Sequence, residues 1–210
     1  NQVWQAGGDV LDKDGKVIIN SPETAEALNW VKSLFDKGYA QKSNLNGGGF
    51  EFASGKVGIE LECEPSKVTQ VAAAAPELNF RVGPILTGKE KVGYVTVGSY
   101  AMFSKADDRE ATVAWVKFLT EAKNAQRILA ASGFASPRKD VNSADYLTDE
   151  RLAAIASQAE WAKGTGPMNP HYSEILEVLT AEFNSILLGV KSTEKGLEDA
   201  QSQIEMIMAY

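Results

Sequence analysis

The sequence predicts an α/β fold, and three observations carry that prediction. A run from Lys56 to Cys63 alternates apolar and polar residues with the period of a strand. Several other segments repeat apolar residues at helical spacing behind a capping residue. Glycine and proline breaks separate the two kinds, so that strands and helices interleave, as they do not in a helical bundle.

The elements follow in chain order. Asp12-Lys13-Asp14-Gly15 is turn chemistry leading into the β-branched run Val17-Ile18-Ile19, which reads as a small hairpin. Ser21-Pro22-Glu23 supplies an N-cap, a proline at the first helical position and an early acid, and Leu28, Val31 and Phe35 continue at helical spacing until Gly38. In the next run Val57, Ile59, Leu61 and Cys63 share one strand face, with Gly58, Glu60, Glu62 and Glu64 on the other. Pro65 ends that strand, Ser66 to Ala75 is a short helix, and Phe80-Arg81-Val82 is a second strand. After Gly83-Pro84, Tyr94 to Phe103 reads as a third strand, interrupted at Gly98-Ser99 by a bulge or by close approach to another group. Asp107 and Asp108 cap a helix with the apolar stripe Ala111, Ala114, Trp115, Phe118 and Leu119, and a second helix starts at Thr120-Glu121. Beyond the loop Gly133 to Arg138 everything reads helical: from Thr148 to about Trp161, from Ser173 past Leu187, and from Ser192 to Met208.

Composition excludes whole classes of function. The 28 acidic against 21 basic residues give a net charge of -7, so no surface is expected to attract a phosphate backbone. One cysteine, Cys63, permits no internal disulfide, and one histidine, His171, permits no two-histidine zinc motif. No cofactor or metal is expected. No apolar run approaches the roughly 20 residues of a membrane helix, and Asn1-Gln2-Val3-Trp4 lacks the basic start of a signal segment.

Six motifs in order resemble the type 1 extracellular solute-binding family, which includes maltose-binding protein and other sugar-binding subunits of ABC importers. They are Trp4 to Asp12, Phe52 to Ile59, Gly98 to Lys105, Ala114 to Thr120, Gly133 to Arg138 and a closing helix with Gly196 to Ala200. The resemblance covers this chain but only the latter half of a family member. It implies a periplasmic-binding-protein-like type II fold of two lobes joined by crossing strands, with the main N-terminal part of the first lobe absent. Residues 1–82 and 136–210 would belong to the second lobe and 83–135 to a returning segment of the first. Either a second chain completes that lobe or the chain is part of a longer one. The implied function is capture of a sugar in the interlobe cleft and delivery to the permease subunits. The implied location is the periplasm or, membrane-anchored, the outer side of the membrane. The chain departs from members that bind glucose polymers at Glu64-Pro65, where they often have tryptophan.

Sugars are held by aromatic rings against their C–H faces and by planar polar groups that bond adjacent hydroxyls. Trp4, on a loop before Gly7-Gly8, suits a stacking surface, although a packing role at a lobe edge fits it equally. Trp30, Trp115 and Trp161 lie on helical stripes and read as core. Of the three acids on the 57–63 strand, Glu64 has the best claim to the cleft, against a plain solvated face. By resemblance Gly98 and Ser99 approach the ligand through backbone, and Phe134, Ser136 and Arg138 border the cleft, although Arg138 could pair with Asp140 instead. Met168 and Tyr172 flank an irregular connector at the expected rim or in a solvent loop. His171 reads as an exposed loop residue, and Cys63 as a small buried hydrophobe.

Three other functions compete, one of them a helical interaction domain without a ligand, which fits the C-terminal half alone but leaves the alternating strands unexplained. A glycoside hydrolase would need an opposed acid pair, and Glu62 and Glu64 on one strand face point the same way. A binding protein for glycerol phosphate would need converging cations, against which the acidic strand argues.

Overall fold

In the computed structural model, residues 1–41, 51–61, 63–164 and 169–209 are described. The chain divides into two compact units, one of Asn1–Gly48, Ile85–Tyr94 and Trp161–Tyr210, the other of Gly49–Pro84 and Val95–Glu160. These boundaries differ from the 1–82, 83–135 and 136–210 segments expected from the sequence.

The first unit is built on three helices: α2 (Pro22–Asp36), α7 (Tyr172–Leu187) and α8 (Thr193–Met208), with a short α1 (Gln2–Gln5) against α2. The caps fall where the sequence puts them for α2 and α8. The Ser21 hydroxyl accepts from the Thr24 backbone N–H, and that of Ser192 from Lys195, which satisfies one of the orphan donors at each helix start. The hairpin is present as a bridge between Leu11 and Val17, with Ile18 N–H donating to Val10. Val17, Ile19, Leu28, Ile175, Ile186, Leu197, Ala200 and Ile204 form one core. Gly196 makes the α7–α8 contact possible, because a Cβ there would lie 2.5 Å from Ile186 side-chain carbons. Beside that contact, buried Glu182 accepts from Lys191 at 2.6 Å and from Gln203 at 3.0 Å, so the carboxylate enters the interior with its charge matched.

The second unit contains α3 (Pro65–Ala74), α4 (Arg109–Thr120), α5 (Ala122–Ser132) and α6 (Glu150–Ser157). Val68, Leu147 and Leu152 are its buried centre, joined by Phe80, Val82, Tyr146 and Ile155. Asp108 caps α4 as expected; the cap of α6 is Asp149 rather than Thr148. A groove beside this core is lined by Asn79, Arg81, Glu150 and Arg151. There Arg151 lies over the Phe80 ring at 4.5 Å and pairs with Asp149.

The strands are where expectation and structure part. Among the described residues the only ladder is β1 (Gly93–Tyr94) paired in parallel with β2 (Ala162–Lys163). The alternating run from 57 forms no strand, and Ile59 is 80% exposed. Residues 80–82 are unpaired although Phe80 and Val82 pack on the core, and 95–103 continues without a ladder, so Gly98 is no bulge. An alternating pattern states which face a strand would bury, but a strand exists only where a neighbour takes its N–H and C=O groups.

Three tryptophan and cysteine readings change for related reasons. Trp30 is exposed because the buried face of α2 runs through Thr24, Ala27 and Leu28, and position 30 lies round the helix from it. Trp115 and Phe118 stack on each other at 5.5 Å but are 59% and 49% exposed, so the α4 stripe is not a core here. Cys63 is exposed because the strand that would have buried it does not form. His171 is half-buried at the start of α7, with Nδ1 2.8 Å from the Glu174 carboxylate.

Candidate functional site

The most developed constellation lies in the first unit, where β1 and β2 meet α1. Gly88 sets it up. A Cβ at that position would stand 2.6 Å from the Gln5 carbonyl oxygen, so only glycine lets this backbone run beside α1. Two hydrogen bonds then fix the approach: Glu90 N–H donates to that carbonyl at 3.0 Å, and the Gln5 side-chain amide donates to the Val92 carbonyl at 3.0 Å. Trp4, on α1, is thereby held beside β1.

The Trp4 ring lies 6.1 Å from that of Tyr94, tilted by 30°. Its indole Nε1–H donates to Asp9 Oδ1 at 2.8 Å, and Lys163 donates to Asp9 Oδ2 at 2.6 Å. The Lys163 ammonium is 5.0 Å from the Trp4 ring centroid, and the β1–β2 register sets Lys163 directly beside Tyr94. Partial burial pushes the Asp9 carboxyl up. The hydrogen bonds from Lys163, Trp4 and the Val10 backbone, with the Lys163 charge, outweigh burial and hold it below its ordinary value. Tyr94 also neighbours the Tyr172 hydroxyl, and partial burial, then Tyr172, push its phenol up. Further along, the Lys91 ammonium sits 3.2 Å from the centroid of the Trp161 ring.

Of the residues proposed from sequence, Trp4 thus stands against Tyr94, and Tyr94 in turn lies near Tyr172. Met168 lies outside the described residues. The others are in the second unit. Glu64 Oε1 accepts from the Ser66 hydroxyl at 2.6 Å, and Glu60 pairs with Lys67 at 3.0 Å. A Cβ on Gly133 would touch Pro65, so Glu64 and Phe134 lie one residue either side of a close approach. Phe134 exposes its ring while its carbonyl accepts from Tyr146 Oη at 2.9 Å. Ser136 N–H donates to the Ser143 hydroxyl, and Ser136 Oγ accepts from Arg138 N–H. Arg138 forms a fork with Asp140 and donates to the Thr120 carbonyl, the structural role weighed in the sequence. Gly98 faces open space and Ser99 is exposed.

Sequence reasoning missed Asp9, Tyr94 and Lys163. Asp9 stood inside the first motif, but nothing local marked it as the acceptor for Trp4. Chemically the cluster offers aromatic faces, a fixed carboxylate and an ammonium with spare N–H groups, which is equipment for holding a hydroxylated ring. Among the described residues no group of three or more His, Cys, Asp and Glu gathers to hold a metal ion.

Residues 2–154 match the family described as bacterial extracellular solute-binding protein. A protein named as a binding protein in Brucella abortus is 26% identical over 217 residues, taking in 98% of this chain and 51% of that protein; one in Brucella suis matches equally. The chain thus spans about half the length of these relatives. Among solved structures, an ABC substrate-binding protein from Listeria monocytogenes in complex with cycloalternan superposes with a TM-score of 0.81 at 18% identity, over 100% of this chain and 55% of that one. The sugar-binding protein MalE of Xanthomonas citri gives 0.78 at 21% identity over 99% and 54%. The cyclic alpha-maltosyl-1,6-maltose binding protein of Arthrobacter globiformis gives 0.71 at 22% over 98% and 54%. The fold is that of these periplasmic-binding-protein-like structures.

Proposed function

Because this chain belongs to the bacterial extracellular solute-binding protein family, we propose that it captures a sugar or oligosaccharide and hands it on unaltered to the permease of an ABC importer. The observation that carries this reading is the Trp4–Tyr94–Tyr172 aromatic set with Asp9 and Lys163 at its edge. Rings supply the stacking surface and the charged pair supplies the polar contacts that a sugar needs. The likeness to proteins solved with cycloalternan or named for maltosyl sugars supports the same ligand class.

In the complete protein the sugar sits in the cleft between two lobes, and its contacts to both favour the closed arrangement that the permease reads. On the family resemblance, residues 1–82 and 136–210 would form the second lobe of the complete protein and 83–135 the returning segment of the first, whereas the compact units of this chain group these residues differently. Glu64, Gly98, Ser99, Phe134, Ser136 and Met168 remain candidates for further contacts in the complete protein, while Arg138 is taken up by Asp140 and the Thr120 carbonyl. The protein works in the periplasm or anchored outside the membrane. Binding rather than cleavage fits the acids that are described: Glu60 is engaged by Lys67 and Glu64 by Ser66.

Calorimetry on the complete protein and its Trp4→Ala variant tests the reading. Loss of one stacking face should weaken binding of the cognate sugar by about tenfold, in line with the roughly 0.5–1.5 kcal/mol of an aromatic contact plus its lost area. Unchanged affinity would reassign Trp4 to packing.

A further inference from the structure

We propose that the Asp9–Lys163 pair sets the charge class of the ligand, making the Trp4 site one for an uncharged sugar and against an anionic one; the proposal rests on the sugar-binding reading above. Among the described residues Lys163 is the cation placed over the Trp4 ring, and its side chain is 46% exposed. An ammonium has three N–H donors, and Asp9 takes one of them at 2.6 Å. The others remain to meet a ligand oxygen. Left alone beside an aromatic face, such a cation would favour carboxylate or phosphate ligands over neutral ones.

Asp9 removes that preference. Its Oδ1 accepts from Trp4 Nε1 and from the Val10 backbone, both at 2.8 Å, so the carboxylate is held from two further directions and cannot swing away from Lys163. The pair sums to zero charge at the ring edge, while Lys163 keeps its donors for a hydroxyl. An anionic sugar bonded to Lys163 would bring its charge close to Asp9. The next cation along, Lys91, is engaged with the Trp161 ring and is the same in every variant below. Asp9 is thus a positioning residue for Trp4 and Lys163 as well as the source of the neutralising charge.

The experiment is calorimetry on the complete protein, its D9N and K163M variants, with neutral malto-oligosaccharides, other neutral oligosaccharides and oligogalacturonates as probes. Circular dichroism reports whether each variant folds, and either variant alone decides the case if the other does not. The parent should prefer neutral sugars. D9N bares the lysine and should shift the neutral-to-uronate affinity ratio about tenfold toward uronates, and K163M bares the carboxylate and should shift it about tenfold the other way, the size expected of a partly screened unit charge. Variants that weaken both ligand classes equally would mean a purely structural pair and overturn the proposal. So would a parent that takes uronates as readily as neutral sugars. A parent that binds no sugar overturns the underlying sugar reading itself, an outcome distinct from neutral binding with unshifted ratios.

Discussion

Replacing Gly196 by alanine should destabilise the first unit, and the same change should stabilise it once Ile186 is trimmed. The added methyl would lie 2.5 Å from both Cγ1 and Cδ1 of Ile186, where carbon pairs settle at about 3.5–4.0 Å. Ile186 is fully buried among Leu197, Ala200 and Ile204, so it has no free space to enter. Overpacking of this kind costs about 1–3 kcal/mol, while replacing a mid-helix glycine returns about 1 kcal/mol, so the net loss is up to about 2 kcal/mol. Ile186→Ala alone should cost about 2–5 kcal/mol by leaving a cavity. In that background the methyl at 196 meets empty space, the clash disappears and the helix-propensity gain remains. Urea melts followed by circular dichroism, arranged as a double-mutant cycle, give the coupling. A sign reversal of the Gly196→Ala effect is expected. Simple additivity, or stabilisation in the parent, would refute close packing of α7 on α8 as the centre of this core.

Trp115→Ala should change the stability of this chain by less than about 1 kcal/mol, because the ring is 59% exposed and leaves no cavity; a loss of 3 kcal/mol or more in a thermal melt would show that it is buried after all. Acid should remove the contribution of Asp149, which Arg151 holds down to about 2 from 3.8. A depressed folded-state value means the stabilisation is complete above about pH 4 and is lost as pH falls through 2, by roughly 1 kcal/mol after allowance for solvent screening. Arg151→Gln should flatten the stability profile across that window, and an unchanged slope between pH 4 and 2 would count against the pair.

What was legible in the sequence was local. The caps Ser21, Asp108 and Ser192, the proline at the start of α2 and the Asp12–Gly15 hairpin each depend on neighbours within four residues, and each stands as read. Among the described residues the strand read from 57 did not follow, and that read from 94 ends at Tyr94, since alternation cannot name the partner that a ladder needs. The site divides in the same way. Trp4 and Tyr172 were read as aromatics on irregular segments, although Trp4 lies on α1 and Tyr172 opens α7. Their companions were hidden by distance along the chain: Lys163 reaches Asp9 across 154 residues, and Gln5 reaches Val92 across 87. Trp115 shows the converse, since a helical stripe records a face fit for burial, not the surface that covers it.

The central claim, capture of a sugar without chemistry upon it, is tested most directly by a thermal-shift titration of the complete protein against a carbohydrate panel, with chromatography of the recovered sugar. The account predicts saturable stabilisation by at least one neutral sugar, about 2.7 kcal/mol at a concentration 100 times Kd, and recovery of that sugar intact. Release of shortened sugars with new reducing ends, or no stabilisation by any sugar, would contradict it.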